Sequence, residues 1–444
     1  MRLLVRFSGP SIVSMIVASS YNLVDAIFVG RLGPEALASL AVAFPLMMIF
    51  IAFGQGTGIG AASLISRIMG KGDHERADRV VGITIILTIF LSALMTIVCV
   101  PNLEALLRLL GANDSVLPFA KSYMFILASF AVVEFFPLVI SNVVRAEGSP
   151  IFASMALVIS AVTNIVLDPI LIFGLGPIPA MGVAGAAIAT VIGRGVGCLI
   201  FIVYFVSGRT SYRFKPGYFL PDLKILADIY RVGLASIVRM TAGSLVMVLA
   251  NRVSASFGVT QLAIRGVLFR VASFAFMPCM GLGQGVLVLV GYNFGAGQKE
   301  RVSEVTVKAG LVSFVWGALC WVAAMLFSTQ VVSIFNSEPE FLVEGVQALR
   351  IFALAFFAVG VQVILSFFFQ GIGKGLPSLV LASARQIIFL FPALLLLPRM
   401  FGVTGLWAAF PIADGLSFVL TIVWTGMEFR RQGMHFRVRY KQGI

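Results

Sequence analysis

The chain has 444 residues, 59% apolar and only 11% charged, and its mean hydropathy is +1.03. An ordinary soluble domain is roughly 45–50% apolar and about 25% charged, so a soluble enzyme, a disordered protein and a secreted disulfide scaffold are excluded. The net charge of +13 is concentrated in short connections and the C-terminal tail, which points to anionic lipid rather than nucleic acid as the partner of the basic groups.

A bilayer-crossing helix uses about 20 residues. Twelve candidate spans follow one another along the chain: 7–30, 38–68, 80–101, 118–144, 151–174, 182–206, 232–257, 262–292, 306–328, 345–370, 377–397 and 403–427. Breakers fall where connections are needed, as at Gly33-Pro34, Gly70-Lys71-Gly72, Gly148-Ser149-Pro150 and Gly373-Lys374-Gly375. Arg2 and Arg6 resemble the start of a secretory leader. The apolar stretch after them is too long, contains Asp25 and lacks a small-x-small site, so no cleaved leader is expected.

The first span carries Tyr21, Asn22 and Asp25, whose i,i+4 and i,i+3 spacings put the three polar groups on one helix face. The second holds Gly54-Gln55-Gly56, and the fourth holds Glu134. In the fifth, Asn164 and Asp168 are again i,i+4, and Pro169 removes the helix partner of the Ile165 carbonyl. Span six opens on Gly182-Val183-Ala184-Gly185 and contains Arg194. A polar stretch, 207–231, then forms a cytoplasmic linker. Beyond it, Gly283-Gln284-Gly285 repeats the motif of span two, Gly295-Ala296-Gly297 repeats Gly70-Lys71-Gly72, and Gly402-Val403-Thr404-Gly405 repeats the opening of span six, at offsets of 229, 225 and 220 residues. The predicted fold class is therefore an all-α integral membrane protein. Twelve transmembrane helices form two six-helix bundles related by a pseudo-two-fold axis along the membrane normal. The N-terminal lobe is placed at 1–206 and the C-terminal lobe, with a basic cytoplasmic tail, at 232–444.

Of the nineteen acids, only Asp25, Glu134, Asp168 and Asp414 fall inside spans. A carboxylate at mid-bilayer costs about 2.5–3.5 kcal/mol on insertion scales, so such groups normally face a cavity or a partner. Asp25 and Asp168, with amide, phenol and carbonyl oxygens beside them, make a proton or hard-cation site, with titration as a coupled pair if they lie close. The plainer alternative is that each aspartate bonds its neighbours and locks helix packing. Glu134 and Asp414 are candidates for a central substrate cavity or for structural pairing. Arg239 and Arg270 are deep basic groups that either neutralise acids or give the cavity a positive field. Gln55 and Gln284, the amides of the repeated motif, complete the cavity candidates.

Lysines and arginines expected on the N-terminal side, counting the even-numbered connections and the tail, number 21, against 5 on the other side. This places both termini in the cytoplasm. Cys99, Cys198, Cys279 and Cys320 lie in apolar runs without CxxC spacing, and His74 and His435 in polar sequence. Neither a metal centre nor a cofactor is expected.

The blocks YNLVDAIFVGRLGPEALA at 21–38, FGQGTGIGAASLISRIMGKGDHERA at 53–77, TNIVLDPILIFG at 163–174, GVAGAAIAT at 182–190, MGLGQGVLVLVGYNFGAGQKERV at 280–302 and GVTGLWAAFPIAD at 402–414 together resemble the multidrug and toxic compound extrusion (MATE) family over essentially the whole chain. The resemblance implies a two-lobed exporter that exchanges H⁺ or Na⁺ for organic compounds. Asp25, Asp168, Asn164, Tyr21 and Asn22 match the N-lobe cation-site pattern of the DinF-type subgroup, and Thr190 resembles a further polar member. The NorM-type acids of helices 7 and 10 have no counterpart here. The expected protein is a monomeric, multi-pass inner-membrane antiporter, not an enzyme. Its partners would be small organic compounds and membrane lipids, without nucleic acid, and its coupling ion H⁺, with Na⁺ at Asp25, Asn164 and Asp168 as the second choice. A flippase or exporter of a lipid-linked or anionic substrate is the rival reading.

Overall fold

The computed structural model describes residues 2–434, without the side chains of Arg2, Ser19, Asn22 and Leu23. The expected roles of Asn22 and of the basic tail beyond residue 434 thus lie outside the described residues. Helix α1 spans Arg2–Gly30 and α2 Pro34–Gly70, with Pro34 at a position where its missing N–H costs nothing. Helix α3 (His74–Cys99) is capped by Asp73, whose side chain accepts from the Arg76 N–H at 3.1 Å. A short α4 (Leu103–Leu109) precedes α5 (Leu117–Ser129) and α6 (Ala131–Glu147), which meet at a 57° bend. Helices α7 (Pro150–Phe173) and α8 (Gly182–Val206) are followed by a 3-10 turn at Pro216–Phe219.

The second half repeats this plan. Helix α9 spans Leu223–Ser256, α10 Val259–Gly295 and α11 Lys299–Leu326. Short α12 (Ser328–Ser333) leads to α13 (Pro339–Phe352) and α14 (Phe356–Gly371). Helix α15 (Gly375–Ser383) runs through a π-helical turn at Ala384–Leu390 into α16 (Phe391–Gln432). Among the described residues nine helical stretches are long and apolar enough to cross a membrane, ten with the bent α5–α6 pair. The 58-residue stretch Gly375–Gln432 covers the last two expected spans and is broken at Gly402 (φ 58°, ψ −140°). Helix α1 covers the first. The chain is an all-helical, multi-pass membrane protein. Its many exposed large side chains, such as Phe90, Leu199 and Val419, face lipid.

Two compact units result: Val13–Ile237, and Met1–Ile12 with Val238–Ile444. The expected lobes broke at the 207–231 linker; the compact units instead divide within α1 and α9. The packing gives the reason. A Cβ on Gly56 of α2 would run into Ile237 and the Gly233 carbonyl of α9, so the first turns of α9 lie directly on α2. The hydroxyls of Thr57 and Tyr230, 3.2 Å apart, tie the same pair. In the other unit a Cβ on Gly285 of α10 would run into Ser8 of α1, whose hydroxyl donates to the Leu282 carbonyl at 3.3 Å. The repeated Gly-Gln-Gly motif is where a helix start is seated in each unit. Each unit has its own apolar core. One is built around Tyr123, Phe135 and Leu107, the other around Trp407, Phe356 and Leu394.

Candidate functional site

In the unit Val13–Ile237, α7 and α8 pack so closely that a Cβ on Gly193 would sit 2.8 Å from the Ser160 carbonyl and 3.0 Å from Asn164 Cβ. That approach lets side chains one turn earlier on α8 reach α7. Asn164 Nδ2 donates to Asp168 Oδ1 at 3.0 Å and lies 3.4 Å from Thr190 Oγ1. Asp168 is completely buried, and Asp25 of α1 is close enough for the two charges to interact. The structure thus brings Asp25, Asn164, Asp168 and Thr190 into one cluster. Asp25 Oδ1, Asn164 Oδ1 and Asp168 Oδ2 are all buried and have no hydrogen-bond partner among the described residues. Buried polar atoms are normally satisfied. An arrangement rich in acceptors and short of donors is suited to a proton, or to a hard cation that prefers oxygen.

Tyr21 is turned to a different task. Its hydroxyl accepts from Arg194 Nη2 at 2.6 Å, and the guanidinium lies over its ring, 5.5 Å from the centroid. The same arginine forms an ion pair with Glu134, Nε to Oε2 at 3.6 Å. Glu134, expected in a substrate cavity, is therefore beside the aspartate cluster, held by a cation that neither aspartate shares. Tyr123 of α5, which the sequence reading missed, is buried within electrostatic reach of Tyr21, Asp25, Glu134 and Asp168. No residue three or four places away on its own helix advertised that role. Arg194 lies inside span six, and its i,i+4 relation to Thr190 is the signal that could have placed it.

The other unit holds a cavity of about 260 Å³ lined by α9, α10, α14, α15 and the turn before α16. Its polar wall is Arg239, Arg385, Gln362 and Gln386. Arg385 forms an ion pair with Asp414, bonding its Oδ1 and reaching Oδ2 at 3.4 Å. Gln362 donates to the Asp414 backbone carbonyl at 2.8 Å. Asp414 is thus engaged structurally and is not among the lining residues. Arg270, expected in the cavity, is exposed and stacks on Phe335 at 5.8 Å, because its face of α10 turns away from the bundle. Gln55 accepts from Asn142 at 3.2 Å, and Gln284 is buried in α10 with its Oε1 unpartnered; neither lines this cavity. Arg265 is buried and donates to Asn251.

The sequence model of the MatE family matches residues 10–170 and again 235–395, one copy per repeat. The multidrug export protein MepA of Staphylococcus haemolyticus (strain JCSC1435) is 26% identical over 423 residues, 94% of this chain and 92% of that protein. MepA of Staphylococcus aureus (strain MSSA476) is 26% identical over 418 residues, 93% and 90% of the two chains. Among solved structures, MATE in the straight conformation matches with a TM-score of 0.91 at 30% identity, covering 97% of this chain and 96% of that one. A MOP superfamily transporter from Pyrococcus furiosus Vc1 (DSM3638), whose reversed binding-pocket polarity is described as suggesting a different function, matches equally with a TM-score of 0.91 at 30% identity over 98% and 96%.

Proposed function

The chain belongs to the MATE family of membrane transporters, and from that premise we propose that it is an antiporter exporting amphipathic organic compounds in exchange for protons by alternating access. The observation that carries the proposal is the Asp25–Asp168 cluster. Two buried carboxylates interact, each has an oxygen without a donor, and the nearby cation, Arg194, is committed to Glu134 and Tyr21. Protonation removes charge from a place where charge is costly. It also turns an acceptor into a donor, changing which partners Asn164, Thr190 and α1 select. Two packings of α1 of comparable energy would then be biased by the proton. Reciprocity follows: if a proton lowers affinity for cargo, cargo lowers affinity for the proton by the same free energy.

Sodium is the second choice of ion, with Asp25, Asn164 and Asp168 as its oxygens. The excess of basic residues on one side supports an inner-membrane orientation with both termini cytoplasmic. We take the protein to act as a monomer on small organic compounds in contact with lipid, with no enzymatic step and no cofactor.

The test is reconstitution into liposomes with pH and Na⁺ gradients imposed separately, read with a panel of fluorescent dyes. The pH gradient alone is expected to drive efflux. Asp25→Asn and Asp168→Asn should each abolish it while expression and folding stay normal. Full pH-driven efflux in both variants would reject this coupling site, and efflux driven only by Na⁺ would replace the proton.

A further inference from the structure

We propose that the cavity lined by Arg239 and Arg385 is a binding site for small organic anions, a carboxylate on a compact aromatic or aliphatic body. This deepens the proposed export function by naming a class of cargo, and it depends on that reading only for the statement that the bound compound is moved.

The argument starts from the charge balance. Two guanidiniums line the cavity, close enough to repel each other. Asp414 neutralises Arg385. Arg239 has no carboxylate partner among the described residues. Its Nη1 meets only the Met280 sulfur at 3.7 Å, and its Nε is buried without any partner. A thioether is a weak acceptor, so the half-buried guanidinium faces the cavity with its Nε shielded from water and nothing but that sulfur in its place. A partly buried cation with no counter-charge beside it leaves a positive field in the cavity. An oxyanion entering the cavity supplies what is missing, since the planar fork of arginine matches a carboxylate in two parallel hydrogen bonds. Gln386 adds an amide to the same wall.

The remaining wall fixes the rest of the ligand. Phe276, Phe367, Met240 and Met280 present aromatic and thioether surface, the kind that accommodates varied apolar bodies. A volume of about 260 Å³ lies just below the usual range of about 300–1,000 Å³ for small-molecule pockets. It holds one ring system and not a two-chain lipid. An organic cation of equal size would meet the unneutralised Arg239 and be disfavoured.

The experiment is calorimetric titration of the purified full-length protein with naphthoate and, separately, with naphthylmethylammonium, its cationic counterpart of similar size. The wild-type protein is expected to bind naphthoate and to bind the cation at least about tenfold more weakly. Arg239→Gln should weaken naphthoate binding by about tenfold or more, the loss of one charge-assisted pair. Gly243→Leu fills the cavity without altering charge, since a Cβ there has only Gln386 Nε2 within reach at 3.9 Å; it should abolish naphthoate binding while the thermal transition persists. Preference for the cation by the wild-type protein, or unchanged naphthoate affinity in Gly243→Leu, overturns the proposal. Because binding is read without any gradient, a protein that binds naphthoate but shows no pH-driven efflux retires the antiport reading and leaves this site standing. Efflux of cationic dyes without naphthoate binding does the reverse.

Discussion

Arg194 serves two acceptors from one buried position, an ion pair to Glu134 and a hydrogen bond to Tyr21. The pair is about seven-eighths buried on both sides, so its members depend on each other more than exposed pairs do. Breaking a buried pair from one end leaves an uncompensated charge and costs about 3–5 kcal/mol. Arg194→Gln should therefore lower the thermal unfolding midpoint in detergent markedly, with Glu134 stranded. Adding Glu134→Gln should recover part of the loss, since two neutral amides are easier to bury than one carboxylate. If the single variant melts with the wild type, the pair has no structural weight and Arg194 must be reassigned to the proposed coupling cluster. The aspartates are different in kind. Glu134 also has an orphaned oxygen, but its other oxygen pairs with Arg194, whereas neither aspartate has an ion pair among the described residues, so their substitution is expected to affect transport first and stability second.

Helices α7 and α8 form a rigid platform because small residues line their contact. Gly193 faces the Ser160 carbonyl at a distance where no Cβ fits, whereas Gly195, two residues on, has only Val133 Cγ1 at 3.9 Å. Gly193→Ala is expected to push α8 away from α7, destabilising by roughly 1–3 kcal/mol as overpacking does. It should also stretch the 3.4 Å contact between Asn164 and Thr190, so efflux falls together with the melting temperature. Gly195→Ala is the matched control: no clash, a better helix former, and a stability change between zero and a gain of about 1 kcal/mol. Equal behaviour of the two alanine variants in thermal unfolding would show that the helices slide apart without penalty, and the platform argument fails. The start of α9 on Gly56 and the start of α1 on Gly285 are the same packing device used once per repeat.

Across the whole chain the basic residues are distributed so unevenly that orientation becomes a measurable property. With the native cysteines replaced by serine, Lys121→Cys near the start of α5 and Lys215→Cys just before the 3-10 turn place single thiols at exposed positions expected on opposite sides of the membrane. In right-side-out vesicles a membrane-impermeant maleimide should label the first and spare the second until the membrane is opened. The opposite pattern would invert the assigned topology and, with it, the direction of the proton gradient that the antiport reading needs.

The amino-acid order alone determined the class, the repeat and the core of the aspartate cluster. These rest on properties local to one segment: the length of an apolar run, the spacing of Gly54-Gln55-Gly56 against Gly283-Gln284-Gly285, and the i,i+4 step from Asn164 to Asp168 inside oil-facing sequence. Only the tertiary structure decided what depends on how a helix is rotated against its neighbours. It gave Arg194 to Glu134, Arg385 to Asp414 and Tyr123 to the aspartates, and it turned Arg270 outward while leaving Arg239 unpaired over a cavity. It also moved the divide between units into α1 and α9. A single chain of letters states which charges lie in the membrane, but a partner is chosen across helices, by rotation and close approach, and no local spacing encodes that choice.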